Sequence, residues 1–274
     1  MFDSDGVAFL QWALPRLHLR WEGFRRMHRQ VCRRIDRRRA ELGLPDLAAY
    51  RVRLDEHPEE WRVLDGLCRV TVSRFARDWE IWSELAGHVL PQLAKDAADA
   101  GRTTVRAWSA GCGAGEEPFT LAIAWMSEVA PAVAIDVLGT DVDAGQLQRA
   151  AAAIYPTPPL RELPDHWRRV GFEPAGDQHR VRDPVRAVVS FERRDVRDPP
   201  PPGPFDLVLC RNAAFTYLDE AVQRDVAAAF RSVLRDGGVL VVGIDEHVPD
   251  GVLGLAPRTR SIYLATTSDI TRVA

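Results

Sequence analysis

Between residues 103 and 266, short unbroken apolar runs alternate with stretches in which apolar residues recur every three or four positions. The runs at 104–110, 134–140, 188–191, 205–210, 238–243 and 261–266 predict strands, and the periodic stretches predict helices near 116–129, 143–153 and 219–235. Strands that alternate with helices are joined by crossovers, which implies parallel pairing and an α/β sheet covered on both faces. Gly237-Gly238 is expected to end the last of these helices. Residues 1 to 90 keep the helical period throughout with few β-branched runs, so a helical N-terminal domain over 1–90 is expected to precede an α/β domain over 91–274. Residues 155–187 are rich in Pro, Arg and Gly and fit the alternation poorly, which predicts a small inserted subdomain within 155–195.

The first predicted strand runs into Trp108-Ser109-Ala110-Gly111-Cys112-Gly113-Ala114-Gly115-Glu116-Glu117-Pro118. Glycines after a strand let main-chain N–H groups come close to a ligand, and in phosphate-binding versions the following helix N-terminus faces an anion. Glu116 and Glu117 would repel a pyrophosphate and attract an ammonium, such as that of the methionine part of S-adenosylmethionine. The second strand ends in Gly139-Thr140-Asp141, about thirty residues past the glycines. An acid at that place in a doubly wound sheet takes ribose hydroxyls. Asp141 would also serve to cap the helix starting near Asp143, and the two roles are compatible.

With 46% apolar residues in a chain of 274 and a net charge of −3, the sequence can bury a sizeable core and a small appended unit. It contains no run of eighteen apolar residues and starts without a basic-then-apolar leader, which predicts a cytoplasmic protein without a transmembrane segment. Cysteines at 32, 68, 112 and 210 lack the paired spacing of a zinc site, so reduced thiols and no bound metal are expected. From Arg16 to Arg39 there are ten arginines against two acids, with Leu17, Trp21, Phe24, Met27, Val31 and Ile35 on roughly one face. This predicts a basic amphipathic helix, either a solvated arginine face over a buried stripe or a surface for an acidic partner. No aromatic-interleaved signature of nucleic-acid binding accompanies it.

Five blocks in order carry a resemblance: Ser73-Arg74-Phe75-Ala76-Arg77-Asp78, the Trp108–Phe119 loop, Gly139-Thr140-Asp141-Val142-Asp143, Phe205-Asp206-Leu207-Val208-Leu209-Cys210-Arg211-Asn212, and Leu234-Arg235-Asp236-Gly237-Gly238-Val239-Leu240. Through them the chain resembles the CheR-type chemoreceptor glutamate O-methyltransferases over nearly its whole length. The resemblance implies a Rossmann-like class I methyltransferase sheet, a helical N-terminal domain, an inserted subdomain, and S-adenosylmethionine as the methyl donor. It further implies that Arg77 and Tyr217 act in catalysis, with Arg77 also near the donor. Ser73 occupies a small-hydroxyl position beside the donor, Gly111 and Gly113 line its loop, Glu117 takes its amine and Asp141 its ribose. Asp195 and Val196 fall at the adenine, with a salt bridge from Asp195 to a neighbouring arginine as the other role open to it, and Asn212 with Ala213 also contacts the donor. The implied acceptor is a protein with an acidic helical segment that docks on the Arg16–Arg39 helix.

A glutamate acceptor is already ionised at neutral pH, so the reaction needs positioning more than a strong base. Three departures lie on the acceptor side. Arg211-Asn212-Ala213-Ala214-Phe215-Thr216-Tyr217 is one residue longer before the tyrosine than the family pattern, which would displace Tyr217. Phe75-Ala76 stands where two phenylalanines are usual, and Gly243-Ile244-Asp245-Glu246 stands for Gly-His-Ser-Glu. They leave open a methyltransferase for a small-molecule or peptide oxygen or nitrogen, and a donor-binding scaffold without turnover. His247 would be the base if the acceptor were an alcohol or amine.

Overall fold

The structure, a computed structural model, describes residues 2–70, 73–129 and 132–267, which form two compact units. The first comprises Met1–Thr71 together with Thr216–Val222, and the second Val72–Phe215 together with Gln223–Ala274. The division thus falls near residue 71, earlier than the boundary at 90 expected from periodicity.

The first unit contains α1 (Phe2–Ala13), α2 (Trp21–Phe24), α3 (His28–Glu41), α4 (Leu47–Glu56) and α5 (Pro58–Cys68). Phe9, Leu10, Phe24, Val31, Ile35, Tyr50, Leu54 and Leu64 are among its buried side chains, with Phe9 stacked on Tyr50 at 5.7 Å. The basic segment is not one helix. A 3-10 turn over Leu14–Leu17 ends at His18 with φ 56°, and Arg20 is extended before α2 begins. Leu19 bridges to Leu218 and the Arg20 amide donates to the Tyr217 carbonyl (2.9 Å), so strand-like pairing to a distant segment overrides the helical period. Within α3 the apolar stripe is kept, since Val31 and Ile35 are buried. Arg38 leaves that helix to hold buried Glu60 through two bonds of 2.9 and 2.8 Å, and the Tyr50 hydroxyl donates to the same carboxylate at 2.9 Å.

The second unit opens with α6 (Trp79–Glu84), which continues through a π turn at Leu85–Val89 into α7 (Leu90–Asp99). The sheet strands are β1 (Thr104–Ala110), β2 (Ala134–Asp141), β6 (Val189–Arg193), β7 (Phe205–Cys210), β8 (Leu234–Val242), β9 (Leu255–Pro257) and β10 (Ile262–Ala265). Their order is β6-β2-β1-β7-β8-β10-β9, parallel from β6 to β8 and antiparallel at β10 and β9. The chain winds outward from β1 through β2 to β6 and then returns to β7 on the other side of β1. That reversal creates the crevice where ligands of open α/β sheets bind. Crossover helices α8 (Glu116–Glu128), α9 (Ala144–Ala152) and α13 (Glu220–Val233) match the predicted ones, and a short α12 (Ala214–Tyr217) follows β7. Helix α8 is buried nearly all round, from Pro118 to Trp125, as expected of a helix packed on the sheet and covered in turn.

Residues 154–187 hold a second sheet in the order β3-β5-β4, from β3 (Ile154–Tyr155), β4 (Phe172–Ala175) and β5 (Gln178–Val181), together with α10 (Asp165–Gly171) and α11 (Asp183–Arg186). Gly237 and Gly238 do not end a helix. They lie inside β8, which begins directly after α13, and the register with β7 shifts between Phe205 and Leu207. Gly237 takes φ 79°, the left-handed conformation such an irregularity needs.

Candidate active site

The C-terminal ends of β1, β2 and β7 meet at the crevice, and each delivers a block that the sequence had singled out. After β1 the chain turns through Gly111 (φ 77°), Gly113 (φ 57°) and Gly115 (φ 91°). A β-carbon on Gly111 would lie 2.9 Å from that of Ala213, so glycine is required there by space as well as by φ. The Gly111 and Cys112 amides donate to the Thr140 carbonyl (2.8 and 2.9 Å), and the Gly113 amide donates to Asp141 Oδ2 (2.9 Å). Asp141 Oδ1 accepts from the Asp143 amide at 2.9 Å. The cap of α9 is Asp143, which accepts from Gly145 and Gln146, so Asp141 braces the glycine loop from the end of β2 instead of capping the helix.

Two carboxylates stand at the start of α8. Glu117 Oε1 accepts from the Ser109 hydroxyl (2.8 Å), and its Oε2 lies 3.3 Å from Arg211 Nη1. Burial raises the Glu117 carboxyl above the ordinary glutamate range, with the Arg211 charge and the Ser109 bond opposing it and Glu246 adding to it. Glu116 is also buried and raised by desolvation, with a side-chain bond to Ser73 opposing the shift, and its Oε2 has no hydrogen-bond partner among the described residues. A β-carbon on Gly113 would sit 3.9 Å from that oxygen and 3.8 Å from the Ser73 β-carbon, which places Ser73 and Glu116 on the same side of the loop.

Arg211 follows β7, and its side chain is 3% exposed. Its Nη2 donates to the Arg77 carbonyl at 2.6 Å and to Asp78 Oδ2 at 2.9 Å, and its guanidinium carbon lies 5.4 Å from the centre of the Trp82 ring. The Arg77 side chain is partly exposed, with Nε 4.0 Å from Asp78 Oδ2. Asn212 takes φ 55°. Its amide donates to Glu246 Oε2 at 2.7 Å, and the Gly243 amide donates to the same oxygen at 2.6 Å. The buried Glu246 therefore joins the loops after β7 and β8.

Ser73, Gly111, Gly113, Glu117, Asp141, Asn212 and Ala213 thus belong to one connected set of loops, and Arg77 is tied to it through its carbonyl. Asp195 and Val196 follow β6, where the Arg194 amide donates to the Asp141 carbonyl at 3.0 Å. The Asp195 carboxylate is held by the Arg197 guanidinium at 2.9 and 2.7 Å, the salt bridge that the sequence left open. Tyr217 is grouped with the first unit, its ring centre 5.1 Å from that of Phe24. His247 is exposed. Ser109, Arg211 and Glu246 build the site although sequence reasoning assigned them no role. Arg211 lies within the Phe205–Asn212 block, and Glu246 ends the Gly243–Glu246 stretch that departs from the family pattern.

The site suits a cationic amino-acid head with a ribose better than a pyrophosphate. Two acids lie at the helix N-terminus, a Glu116 oxygen without a hydrogen-bond partner among the described residues sits beside the loop, and the nearby Arg211 is paired with Asp78 and Glu117. Among the described residues no group of three His, Cys, Asp or Glu side chains could hold a metal ion.

A glycine loop after β1, an acid at the start of the following helix and an acid at the end of the adjacent β2, beside the topological switch point between β1 and β7, define the class I methyltransferase arrangement. The profile of the family described as CheR methyltransferase, SAM binding domain, matches residues 71–259. The chain belongs to that family and is an S-adenosylmethionine-dependent methyltransferase. It is 32% identical to a chemotaxis protein methyltransferase of Listeria innocua over 202 residues, covering 73% of this chain and 75% of that protein. With the chemotaxis protein methyltransferase of Salmonella typhimurium it shares 28% over 242 residues, 85% of this chain and 81% of the other. Among solved structures it matches S-adenosylmethionine-bound CalS10, an amino pentose methyltransferase from Micromonospora echinaspora, with a TM-score of 0.35 and 22% identity, over 64% of this chain and 57% of that one.

Proposed function

We propose that this enzyme methylates a glutamate carboxylate on a protein of a chemotaxis-type signalling system in the cytoplasm. The observation that carries the methyl-donor part of this reading is the pair of acids at one glycine loop, Glu117 at the start of α8 and Asp141 at the end of β2. Supporting it are relatives named chemotaxis protein methyltransferases, which favour a protein acceptor over a small molecule or a scaffold without turnover. Bound S-adenosylmethionine supplies an electrophilic methyl group on a sulfonium centre. Glu117 takes its ammonium, Asp141 its ribose hydroxyls, and Ser73, Gly111, Gly113, Asn212 and Ala213 close around it, with Asp195 and Val196 at the adenine end.

Arg77 orients the acceptor carboxylate. It must hold that group loosely, because tighter binding of the ground-state anion than of the transition state would slow transfer. Orientation of this kind supplies on the order of 7–11 kcal/mol in favourable cases. Tyr217 is the second residue to which we assign a part in catalysis. The acceptor's acidic helix docks on the arginines of the Arg16–Arg39 segment through charge complementarity. Among the described residues no helix is long and apolar enough to cross a membrane.

The test is transfer of a labelled methyl group into lysate proteins, followed by mild alkali. Alkali-labile label on protein is the result expected of a glutamyl ester. Alkali-stable label, or label only on small molecules, would refute the carboxylate acceptor.

A further inference from the structure

We propose that Arg211 is the positioning residue that couples donor binding to acceptor orientation. One buried guanidinium joins Glu117, which faces the donor, to the Arg77-Asp78 segment, which carries the acceptor-orienting side chain. This inference rests on the roles proposed for Glu117 and Arg77. Three bonds leave the same group: 3.3 Å to Glu117 Oε2, 2.9 Å to Asp78 Oδ2 and 2.6 Å to the Arg77 carbonyl. The Trp82 ring lies against its face and excludes water, being itself 1% exposed. Asp78 is in the left-handed region at φ 60°, a conformation that costs energy for a residue other than glycine, and the charged bond from Arg211 helps to hold it.

The charges explain why an arginine is needed. Glu117 faces Arg211 from the end of β7, Glu246 from the loop after β8, and the buried thiols Cys112 and Cys210. Asp78 adds a second carboxylate on the far side of the guanidinium. Arg211 lies between the Glu117 and Asp78 carboxylates, and its charge opposes the burial that raises Glu117. Without the cation, nothing of comparable strength would oppose the burial that raises the Glu117 carboxyl. A lysine supplies a single point charge and cannot serve two carboxylates and a carbonyl in fixed directions, whereas the planar fork of arginine can.

The test compares full-length wild type, Arg211→Met, Arg211→Lys and Glu117→Gln, each checked for folding by its melting transition. Donor affinity is measured by S-adenosylmethionine titration at about pH 6 and about pH 8.5, and the ratio of variant to wild type is taken so that ionisation of the ligand cancels. Arg211→Met is expected to bind more weakly at the lower pH and to recover about tenfold relative to wild type at the higher, as Glu117 regains its charge. Arg211→Lys is expected to keep donor affinity within a few-fold, with a wild-type pH dependence, and to lose kcat because the Arg77 segment is untied. A deficit in Arg211→Met that is equal at both pH values, or full turnover in Arg211→Lys, overturns the proposal. If Glu117→Gln binds donor normally, the Glu117 assignment fails first. If Glu117→Gln is weak while Arg211→Met is normal, only the role of Arg211 fails.

Discussion

Glu246 shows how one carboxylate oxygen can hold a site together, and its removal gives a quantitative expectation. Oε2 accepts from the amides of Asn212 (2.7 Å) and Gly243 (2.6 Å), and the residue is 3% exposed. Glu246→Ala leaves two main-chain donors without that acceptor, at about 1–3 kcal/mol each and roughly 2–6 kcal/mol in all. Ending the desolvation of a buried carboxylate returns part of this, so the expected loss of stability is about 2–3 kcal/mol. Glu246→Gln keeps an oxygen acceptor and is expected to lose less than about 1 kcal/mol. Denaturant titration reads both as a lower midpoint at unchanged slope. Because Asn212 sits at φ 55° on that bond, Glu246→Ala should also weaken donor binding while Glu246→Gln should not. An alanine variant that loses under about 1 kcal/mol, or a glutamine variant as damaged as the alanine one, would refute this account.

Asp141→Ala should weaken donor binding by about 1–3 kcal/mol, through the ribose and through the freed Gly113 amide, and unchanged calorimetric affinity would remove Asp141 from the site. Arg77→Ala should bind donor nearly normally and fail to transfer methyl, so a turnover assay showing normal kcat would end its catalytic role. The Glu117 carboxyl is raised by burial, and in the role proposed for it the charged form binds the donor ammonium. Affinity should therefore fall as pH falls, over a window beginning above the ordinary glutamate range near 4.3. Titrations at stepped pH on wild type and Glu117→Gln check this, and parallel curves for the two would contradict it. In the first unit, Glu60→Ala should cost about 3–5 kcal/mol, because it strands the partly buried Arg38 and the Tyr50 hydroxyl, and a denaturation midpoint within error of wild type would show that the network is dispensable.

Local pattern was enough to reveal the strands β1, β2, β6, β7 and β10 and the helices α8, α9 and α13, because a strand buried on both faces, such as β7, writes a continuous apolar run and helix packing writes a 3.6-residue period. The glycine loop was legible for the same reason: φ values that glycine tolerates, followed by acids at a helix start, are contiguous in the chain. Pairing over long separations left no such mark. The basic segment breaks at His18–Arg20 because Leu19 and Arg20 pair with residues about two hundred positions away. The Gly237-Gly238 pair reads as a helix stop and becomes a strand irregularity once β8 lies against β7. The small sheet of β3, β4 and β5 has strands too short to show a period. In the site, Glu117, Asp141 and Asn212 could be picked out one by one, each beside its own strand. That Arg211 would reach Arg77 and Asp78, and that Glu246 would hold two loops with one oxygen, was decided by the tertiary structure alone. Buried charges are satisfied by whichever partners the fold brings within about 3 Å, and sequence distance does not enter that choice.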